Sequence, residues 1–181
     1  MANEVFTLLR SILVFFADPA RVSTSSKAVA AAGDYAALDV LSESASAGIG
    51  SAWYVGELAR ARGKSFWLVG VRARCTEDSV AFRLRLHGFR RRPNAATEMD
   101  DNAGFTVNDA DRFDNYLGPI CDLPAFSDRG DFSESKNMDI RELITPASDA
   151  DGLWFIVQTL DAETAETAGM HMVFEFQSLP L

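Results

Sequence analysis

The sequence predicts an all-β protein, an antiparallel β-sandwich with a jelly roll as its expected topology. Apolar and polar residues alternate with period two in several segments, long polar loops separate those segments, and helical periodicity is weak beyond the N-terminus. About seven or eight short strands joined by such loops are typical of a sandwich. An immunoglobulin-like sandwich is the nearest alternative, although the paired cysteines around a tryptophan that mark that fold are missing.

One domain accounts for most of the chain. The 181 residues are 48% hydrophobic, which is enough to bury a full core in a single domain. We predict an N-terminal arm and linker over residues 1–32 and a β-sandwich domain over residues 33–181.

The N-terminal run Val5–Ala17, VFTLLRSILVFFA, is the only candidate targeting segment. It lacks a basic region before the apolar stretch and a small-residue cleavage site, and it is too short to span a bilayer as a helix. We interpret it as a strand or short helix that packs onto its own domain or onto a neighbouring chain. Phe6, Leu9 and Phe15 are its candidate contact residues, and no membrane association is expected.

The segments that follow carry weaker signals. Residues 21–33 are small and polar without sustained periodicity, which indicates a linker or an extended segment. Alternation in residues 35–41 predicts a strand, the stretch 42–51 with its two glycines predicts a loop, and residues 52–61 predict another strand.

The segment Ser65–Phe89 holds the strongest strand signal, two alternating runs separated by the polar turn 76–79, and we interpret it as a β-hairpin. Its core face is expected to carry the apolar residues Trp67, Val69, Val71, Ala73, Cys75, Phe82, Leu84 and Leu86. Its opposite face is expected to carry the arginines Arg72, Arg74, Arg83 and Arg85.

Two strands close the chain after a long polar section. Residues 153–160 are almost continuously apolar, which indicates a strand covered on both faces or central in a sandwich. Residues 170–178 alternate, and their apolar positions are Met170, Met172, Phe174 and Phe176.

The net charge of −9 conceals an asymmetry along the sequence. Residues 1–92 contain 13 Lys and Arg against 8 Asp and Glu, whereas residues 93–181 contain 4 against 18. The acidic second half argues against nucleic-acid binding, which depends on neutralising phosphates. The complementary halves can instead meet within one folded unit or head to tail between copies.

The arginines of the predicted hairpin, continued by Arg90, Arg91 and Arg92, are the main candidate interface residues. Three partners are open: carboxylates of the same chain, a neighbouring protein, or nucleic acid. Nucleic-acid faces usually interleave exposed aromatics with basic residues, whereas the aromatics here alternate into the opposite face. No nucleic-acid partner is therefore expected.

No constellation in the sequence predicts an enzyme, a cofactor or a metal centre. Cys75 continues an apolar face and is expected to be buried, and Cys121 lies in a turn-like stretch. His87 and His171 fall on the polar side of alternating strands, where we expect surface or interface residues, and no G-x-S-x-G motif frames a serine nucleophile. The acidic section 100–114 lacks the EF-hand spacing and is expected to be a solvated loop.

Several phrases of the sequence, in their order, resemble one family of proteins. GDYAALDVLS, the segment ending in FRLRLHGF, DNAGFTVNDADRFDNYLGPI and LWFIVQTLDAETAETAG are similar to tailed-bacteriophage virion structural proteins of the head. These include capsid decoration or cement proteins with β-sandwich or jelly-roll folds, and the resemblance covers residues 33–179. It implies a non-enzymatic protein on the capsid surface of a virion, made in the host bacterial cytoplasm. It also implies binding to the major capsid protein lattice and to neighbouring copies as a homo-oligomer, often a trimer.

A carbohydrate-binding β-sandwich of a head fibre or a tail-associated adhesin is the alternative function. In that case an exposed Trp53 or Trp154 provides the platform for a sugar, and an acidic loop that holds calcium supports it.

Overall fold

The computed structural model describes residues 19–31, 33–46, 48, 50–77, 80–164 and 169–181. Nearly all of its regular structure is β-strand, and two antiparallel sheets pack as a sandwich, which confirms the predicted fold class. The elements in chain order are β1 (Ala20–Ser23), β2 (Lys27–Ala28), β3 (Val40–Leu41), β4 (Trp53–Val55), β5 (Phe66–Cys75), β6 (Leu84–Phe89), α1 (Asp109–Arg112), β7 (Tyr116–Leu123), β8 (Ser127–Asp128), β9 (Ser133–Asn137), β10 (Glu142–Ile144), β11 (Leu153–Thr159) and β12 (His171–Pro180).

The two sheets differ in size and in strand order. The seven-stranded sheet has the order β1-β12-β5-β9-β8, with β10 also pairing with β5 and β2 with β12. The five-stranded sheet has the order β3-β11-β6-β7, with β4 also pairing with β11. Neighbouring strands are therefore mostly distant in sequence, and the segment 20–28, predicted as a linker or extended, is hydrogen-bonded to the last strand. The division into an arm before residue 33 and a domain after it stays a prediction.

The predicted hairpin over Ser65–Phe89 is wrong, because its two runs belong to different sheets. β5 pairs with β12, β9 and β10, whereas β6 pairs with β11 and β7. Both strands turn their apolar residues towards the same core from opposite sides. Period-two alternation reports which face a strand buries and carries no information on its pairing partner.

The face assignment within β5 is also wrong at the start of the strand. Phe66 and Leu68 are fully buried, while Trp67 is 38% exposed. Gly70 pairs with Gln177 and Leu68 with Ser178, so that Val69 is an extra residue in the ladder. Such a β-bulge interrupts the alternation, and for this reason the core positions are even-numbered before it and odd-numbered after it.

The core between the sheets centres on Phe155 in β11. Its ring lies 5.3 Å from that of Phe174, 5.0 Å from that of Phe176 and 6.1 Å from that of Trp53. β11 pairs with β3 and β4 on one side and with β6 on the other, so it is central, as the continuous apolar run predicts. The burial of Met170, Met172, Phe174 and Phe176 also matches the predicted pattern.

A second apolar cluster covers the outer face of the five-stranded sheet. Its buried members are Val40, Ala52, Phe89 and Ile156, and the partly buried residues packed against them are Met99, Phe105, Val107, Tyr116 and Trp154. The connection from β6 to β7 supplies several of these residues and is held by buried Asp111. The Asp111 carboxylate accepts hydrogen bonds from Asn94 N, Thr97 Oγ1 and Asn115 Nδ2 at 2.6–2.8 Å. Part of the long polar section is thus an ordered lid on one sheet.

Candidate interaction surfaces

Two of the predicted arginines lie on the outer face of the seven-stranded sheet. Arg72 Nε is 3.6 Å from Glu134 Oε2, and Arg72 Nη1 is 3.9 Å from Glu175 Oε1. Arg74 Nε is 3.3 Å from the same Glu134 oxygen. Glu134 and Glu175 are the partners of these arginines because β9 and β12 flank β5 in the sheet.

The other two predicted arginines, Arg83 just before β6 and Arg85 on β6, lie on the outer face of the five-stranded sheet. Arg83 makes a bidentate contact with Asp161, with Nη2 2.6 Å from Oδ1 and Nε 3.0 Å from Oδ2, and this holds the pKa of Asp161 down to about 2. Arg85 makes a similar contact with Asp122 on β7, and its hydrogen bonds lower the pKa of that carboxyl group.

The expectation of a single arginine face is therefore wrong. Arg72 and Arg74 are separated from Arg83 and Arg85 by the full thickness of the sandwich, since β5 and β6 lie in opposite sheets. All four pair with carboxylates from the acidic second half of the chain, and their role at an interface stays a prediction.

The run Arg90–Arg92 leaves the end of β6 and has different surroundings. Arg91 and Arg92 are exposed, and the Arg92 guanidinium lies 5.9 Å from the centre of the Trp154 ring. Backbone contacts fix the run, since Ala147 N donates to Arg90 O at 3.3 Å and Arg91 N donates to Asn115 Oδ1 at 2.7 Å.

Three further cations from the loop before β5 lie at the same end of the sandwich. Gly63 N donates to Ala150 O at 2.7 Å, and Leu58 N donates to Asp151 O at 3.0 Å, so this loop packs on the segment that also contacts Arg90. We call the six side chains of this region the basic end: Arg60, Arg62, Lys64, Arg90, Arg91 and Arg92. Within the described residues, none of these cations lies within 4.0 Å of a carboxylate oxygen.

An aromatic pair adjoins the basic end. The rings of Tyr54 and Trp154 lie 4.8 Å apart on the outer face of the five-stranded sheet, and Tyr54 is 39% exposed. Tyr54 Oη donates to Asp151 Oδ1 at 3.1 Å, and burial together with this hydrogen bond raises the pKa of the tyrosine. Trp53, the other tryptophan predicted as a sugar platform, is buried in the core and cannot serve as one.

His87 is buried, which contradicts its expected place at the surface. Its Nδ1 lies 2.7 Å from Tyr116 Oη and its Nε2 lies 2.9 Å from Gln158 Oε1, while the Phe105 ring covers it at 4.1 Å. Gln158 Nε2 donates to Leu38 O, so Gln158 Oε1 accepts from His87 Nε2–H and His87 Nδ1 accepts from the Tyr116 hydroxyl. Burial lowers the pKa of His87.

His171 is exposed, as the sequence predicts, and contacts a serine. Its Nδ1 lies 3.0 Å from Ser26 Oγ beside an open cleft of about 390 Å³. Among the described residues no carboxylate oxygen hydrogen-bonds to this imidazole ring, so the third member of a catalytic serine-histidine-carboxylate set is missing there.

Both thiols are buried. Cys75 lies on the core face of β5, as expected, whereas Cys121 lies within β7 and not in a turn. Burial raises the pKa of Cys121 to about 12, which leaves its thiol protonated and unreactive near neutral pH.

The acidic section 100–114 is less solvated than the sequence predicts. Asp100 accepts from Gly48 N at 2.7 Å and from Gly50 N at 2.8 Å, and buried Asp101 accepts from Tyr35 Oη and Ser42 N. These carboxylates fix the neighbouring loops. Within the described ranges, no group of three His, Cys, Asp or Glu residues could hold a metal ion.

The residues predicted in the N-terminal run, Phe6, Leu9 and Phe15, lie outside the described residues. In the part of the chain from residue 19 onwards that the structure describes, no helix has the length and apolar character needed to cross a membrane. A comparison of the sequence with protein-family models and with curated proteins finds no match.

Proposed function

We propose that this protein is a structural component of a tailed-bacteriophage virion that decorates or cements the capsid. It binds the lattice of the major capsid protein and neighbouring copies of itself as a homo-oligomer, with a trimer as the expected state. It has no enzymatic activity and no cofactor, and it reaches the capsid surface after synthesis in the host cytoplasm. The resemblance of its sequence phrases to head proteins and its β-sandwich fold support this proposal.

The jelly-roll topology is part of the same proposal. The order β1-β12-β5-β9 in one sheet faces β3-β11-β6-β7 in the other. The strands β5 and β6, consecutive in the chain, lie on opposite sides of the core. Paired Greek keys arrange eight strands in this way.

The observation that carries the proposal is the basic end beside the Tyr54–Trp154 pair. The four arginines of the segment Ser65–Phe89 pair with carboxylates of the chain, whereas the cations of the basic end make no such pairs within the described residues. Arginine and exposed aromatics are enriched in protein interfaces, and a positive patch fits an acidic partner surface. On a lattice, many such contacts act together, so each can be weak while the assembly is tight.

Co-sedimentation with capsid shells that lack this protein tests the proposal. We expect the wild type to bind and the double variant Arg91→Glu with Arg92→Glu to lose affinity by about tenfold or more, which corresponds to about 1.4 kcal/mol. Arg129→Glu is the matched control, because Arg129 is an exposed arginine at the turn between β8 and β9, away from the basic end. Failure of the wild type to bind shells whose sites are vacant contradicts the proposed function.

Mass spectrometry of purified virions provides a second test. A decoration protein is present in a fixed and high ratio to the major capsid protein, whereas a neck or tail component is present in only a few copies. A low ratio rules out the decoration role.

The alternative function, carbohydrate binding, is favoured by one observation. The exposed Tyr54 and the partly buried Trp154 form an aromatic pair flanked by Arg92 and Asp151. Aromatic faces with neighbouring polar groups can stack against sugar rings. A glycan array probed with and without calcium tests this alternative. Binding by the wild type that is lost in Tyr54→Ala supports it. An array without signal in both conditions rejects it.

A further inference from the structure

Exposed apolar side chains gather on the outer face of the seven-stranded sheet. Leu143 on β10 and Leu179 on β12 lie directly opposite Trp67 on β5, one on each side. Met138 lies over Gly70 on the same face, since a side chain on that glycine would meet the Met138 sulfur. Leu181 continues the row beyond β12, and Leu181 N donates to Ser65 O. We call these five residues, Trp67, Met138, Leu143, Leu179 and Leu181, the apolar patch.

The apolar patch is more than scattered surface hydrophobicity. Four of its members are 38–49% exposed, and they make up four of the seven large hydrophobic residues that are exposed in the described part of the chain. Contiguous apolar patches on soluble proteins usually mark a contact surface. The outer face of the five-stranded sheet provides a comparison. There, residues 94–115 cover the apolar side chains of the sheet and form a second apolar cluster with them.

The chain enters the domain beside this patch. Ala20, the first residue of β1, pairs with Ser178, which precedes Leu179 of the patch. β1 is two strands from β5 in the order β1-β12-β5, so the entry point lies about 10 Å from Trp67 at the usual strand spacing. An N-terminal segment therefore starts within easy reach of the patch.

The segment that precedes this entry point has the matching chemistry. The run Val5–Ala17 is apolar apart from Arg10, a serine and a threonine, and only Asp18 and Pro19 separate it from β1. Asp-Pro is a sequence typical of a turn, which is what a reversal onto the sheet requires.

We propose that Val5–Ala17 binds the apolar patch of its own chain. A short tether gives the run an effective concentration of about millimolar at the patch, so a run from a second copy has to compete with it at a disadvantage. Phe6, Leu9 and Phe15 contribute the contacting side chains, and the outer face of the seven-stranded sheet is then covered as the outer face of the five-stranded sheet is.

Disulfide cross-linking of the full chain tests this proposal. Cysteine is introduced at Leu143 together with one of Phe6, Leu9 or Phe15, and the protein is oxidised under mild conditions. The native thiols do not interfere because both are buried. Tyr54→Cys in place of Leu143→Cys is the matched control, since Tyr54 is similarly exposed (39% against 48%) but lies on the other sheet.

We expect a cross-link within one chain for at least one Leu143 pair and none for the Tyr54 pairs. Mixing isotope-labelled with unlabelled protein separates links within a chain from links between chains. A link between a labelled and an unlabelled chain identifies linkage between chains. If the Leu143 links occur only between chains, the proposal is overturned in favour of a neighbour's run. Absence of any Leu143 link, or equal links to Tyr54, overturns it altogether.

Limited trypsin digestion gives a second readout that needs no cysteine. Cleavage after Arg10, the only basic residue of the run, is slow in the wild type if the run is bound. Trp67→Ser is expected to speed that cleavage, while Tyr54→Ser leaves its rate unchanged. Equal cleavage rates in the wild type and in Trp67→Ser contradict the proposal, and this result is independent of capsid binding.

Discussion

Arg85 and Asp122 lie directly opposite each other on β6 and β7, where Arg85 Nε donates to Oδ1 at 2.8 Å and Nη2 donates to Oδ2 at 2.7 Å. Because the pair is exposed, we expect Arg85→Ala to lower the free energy of unfolding by only about 0.2–1 kcal/mol. Exchanging the two residues, Arg85→Asp with Asp122→Arg, should give an unfolding free energy close to that of the wild type. Urea unfolding measures both effects, and a double exchange that is less stable than the single variant contradicts cross-strand pairing.

Arg72 has a larger structural role than the arginines of the basic end. Arg72→Glu places a third carboxylate between Glu134 and Glu175, both of which are half-buried, and we expect a loss of about 1–3 kcal/mol. Arg91→Glu, a charge reversal at an exposed residue without an ion pair in the described structure, should change the stability by about 0.5 kcal/mol or less. Equal losses in the two variants contradict this division between paired and unpaired arginines.

His87 makes stability depend on pH. Its folded-state pKa is lowered, mainly by burial, so below its ordinary value of about 6.5 the unfolded chain binds more protons than the folded chain does. The stability of the folded chain is therefore not reduced by His87 above about pH 6.5. Stability is lost as the pH falls from about 6.5 towards the folded-state pKa of His87. The charged or titratable groups near it are Tyr116, Arg85 and Asp122.

Urea unfolding of the wild type and of His87→Gln between about pH 5 and pH 8 checks this prediction. The variant should show a flatter pH profile through the histidine range. Imidazole titration by NMR gives the pKa directly, and a value above about 6.5 contradicts the expected direction.

Phe155 is the side chain on which the core depends most. Phe155→Ala removes contacts with Trp53, Phe174 and Phe176 and should cost about 3–5 kcal/mol. Phe113→Ala, at a residue that is 85% exposed after α1, should leave the unfolding free energy within about 0.5 kcal/mol of the wild type. Thermal unfolding of the two variants provides the comparison, and similar melting temperatures contradict the packing described for β11.

Gly152 permits the close approach of two backbone segments before β11. A Cβ atom at this position would overlap the Val55 backbone and lie 2.6 Å from Gly56 Cα, so Gly152→Ala should cost about 1–3 kcal/mol. Gly104→Ala is the control, because a Cβ there meets no atom within 4 Å. Chemical denaturation distinguishes the two, and a Gly152→Ala protein as stable as the control contradicts the close approach.

Much of the fold follows from local patterns, and the errors arise where a distant segment decides the outcome. Alternation in β12 and the continuous apolar run in β11 predict strands correctly because burial on one or both faces leaves its period in the sequence. The hairpin fails because β5 and β6 bury matching faces against one core, and their partners are supplied by segments elsewhere in the chain.

The same limit applies to single residues. His87 has the spacing of an outward position, and it is outward on its strand, but the connection that carries Phe105 and Tyr116 folds over it. Trp67 is displaced to the outside by the extra residue Val69, and the adjacent Gly70 is a signal of such a bulge that the sequence does offer. Which carboxylate each arginine contacts depends on strand neighbours and is not encoded in spacing along the chain.

The strand order also sets when this protein can fold during its synthesis. β12 lies between β1 and β5 in the sheet, yet it is translated after all the other strands that the structure describes. Until residues 171–180 leave the ribosome, β1 and β5 both lack β12 as a partner, and the edges at which they would pair with it remain open. Pairing between such distant segments is slow, so we expect the seven-stranded sheet to close only after β12 has been made. A chain that lacks β12 therefore exposes unpaired strand edges, and we expect aggregation or chaperone binding to begin at these edges.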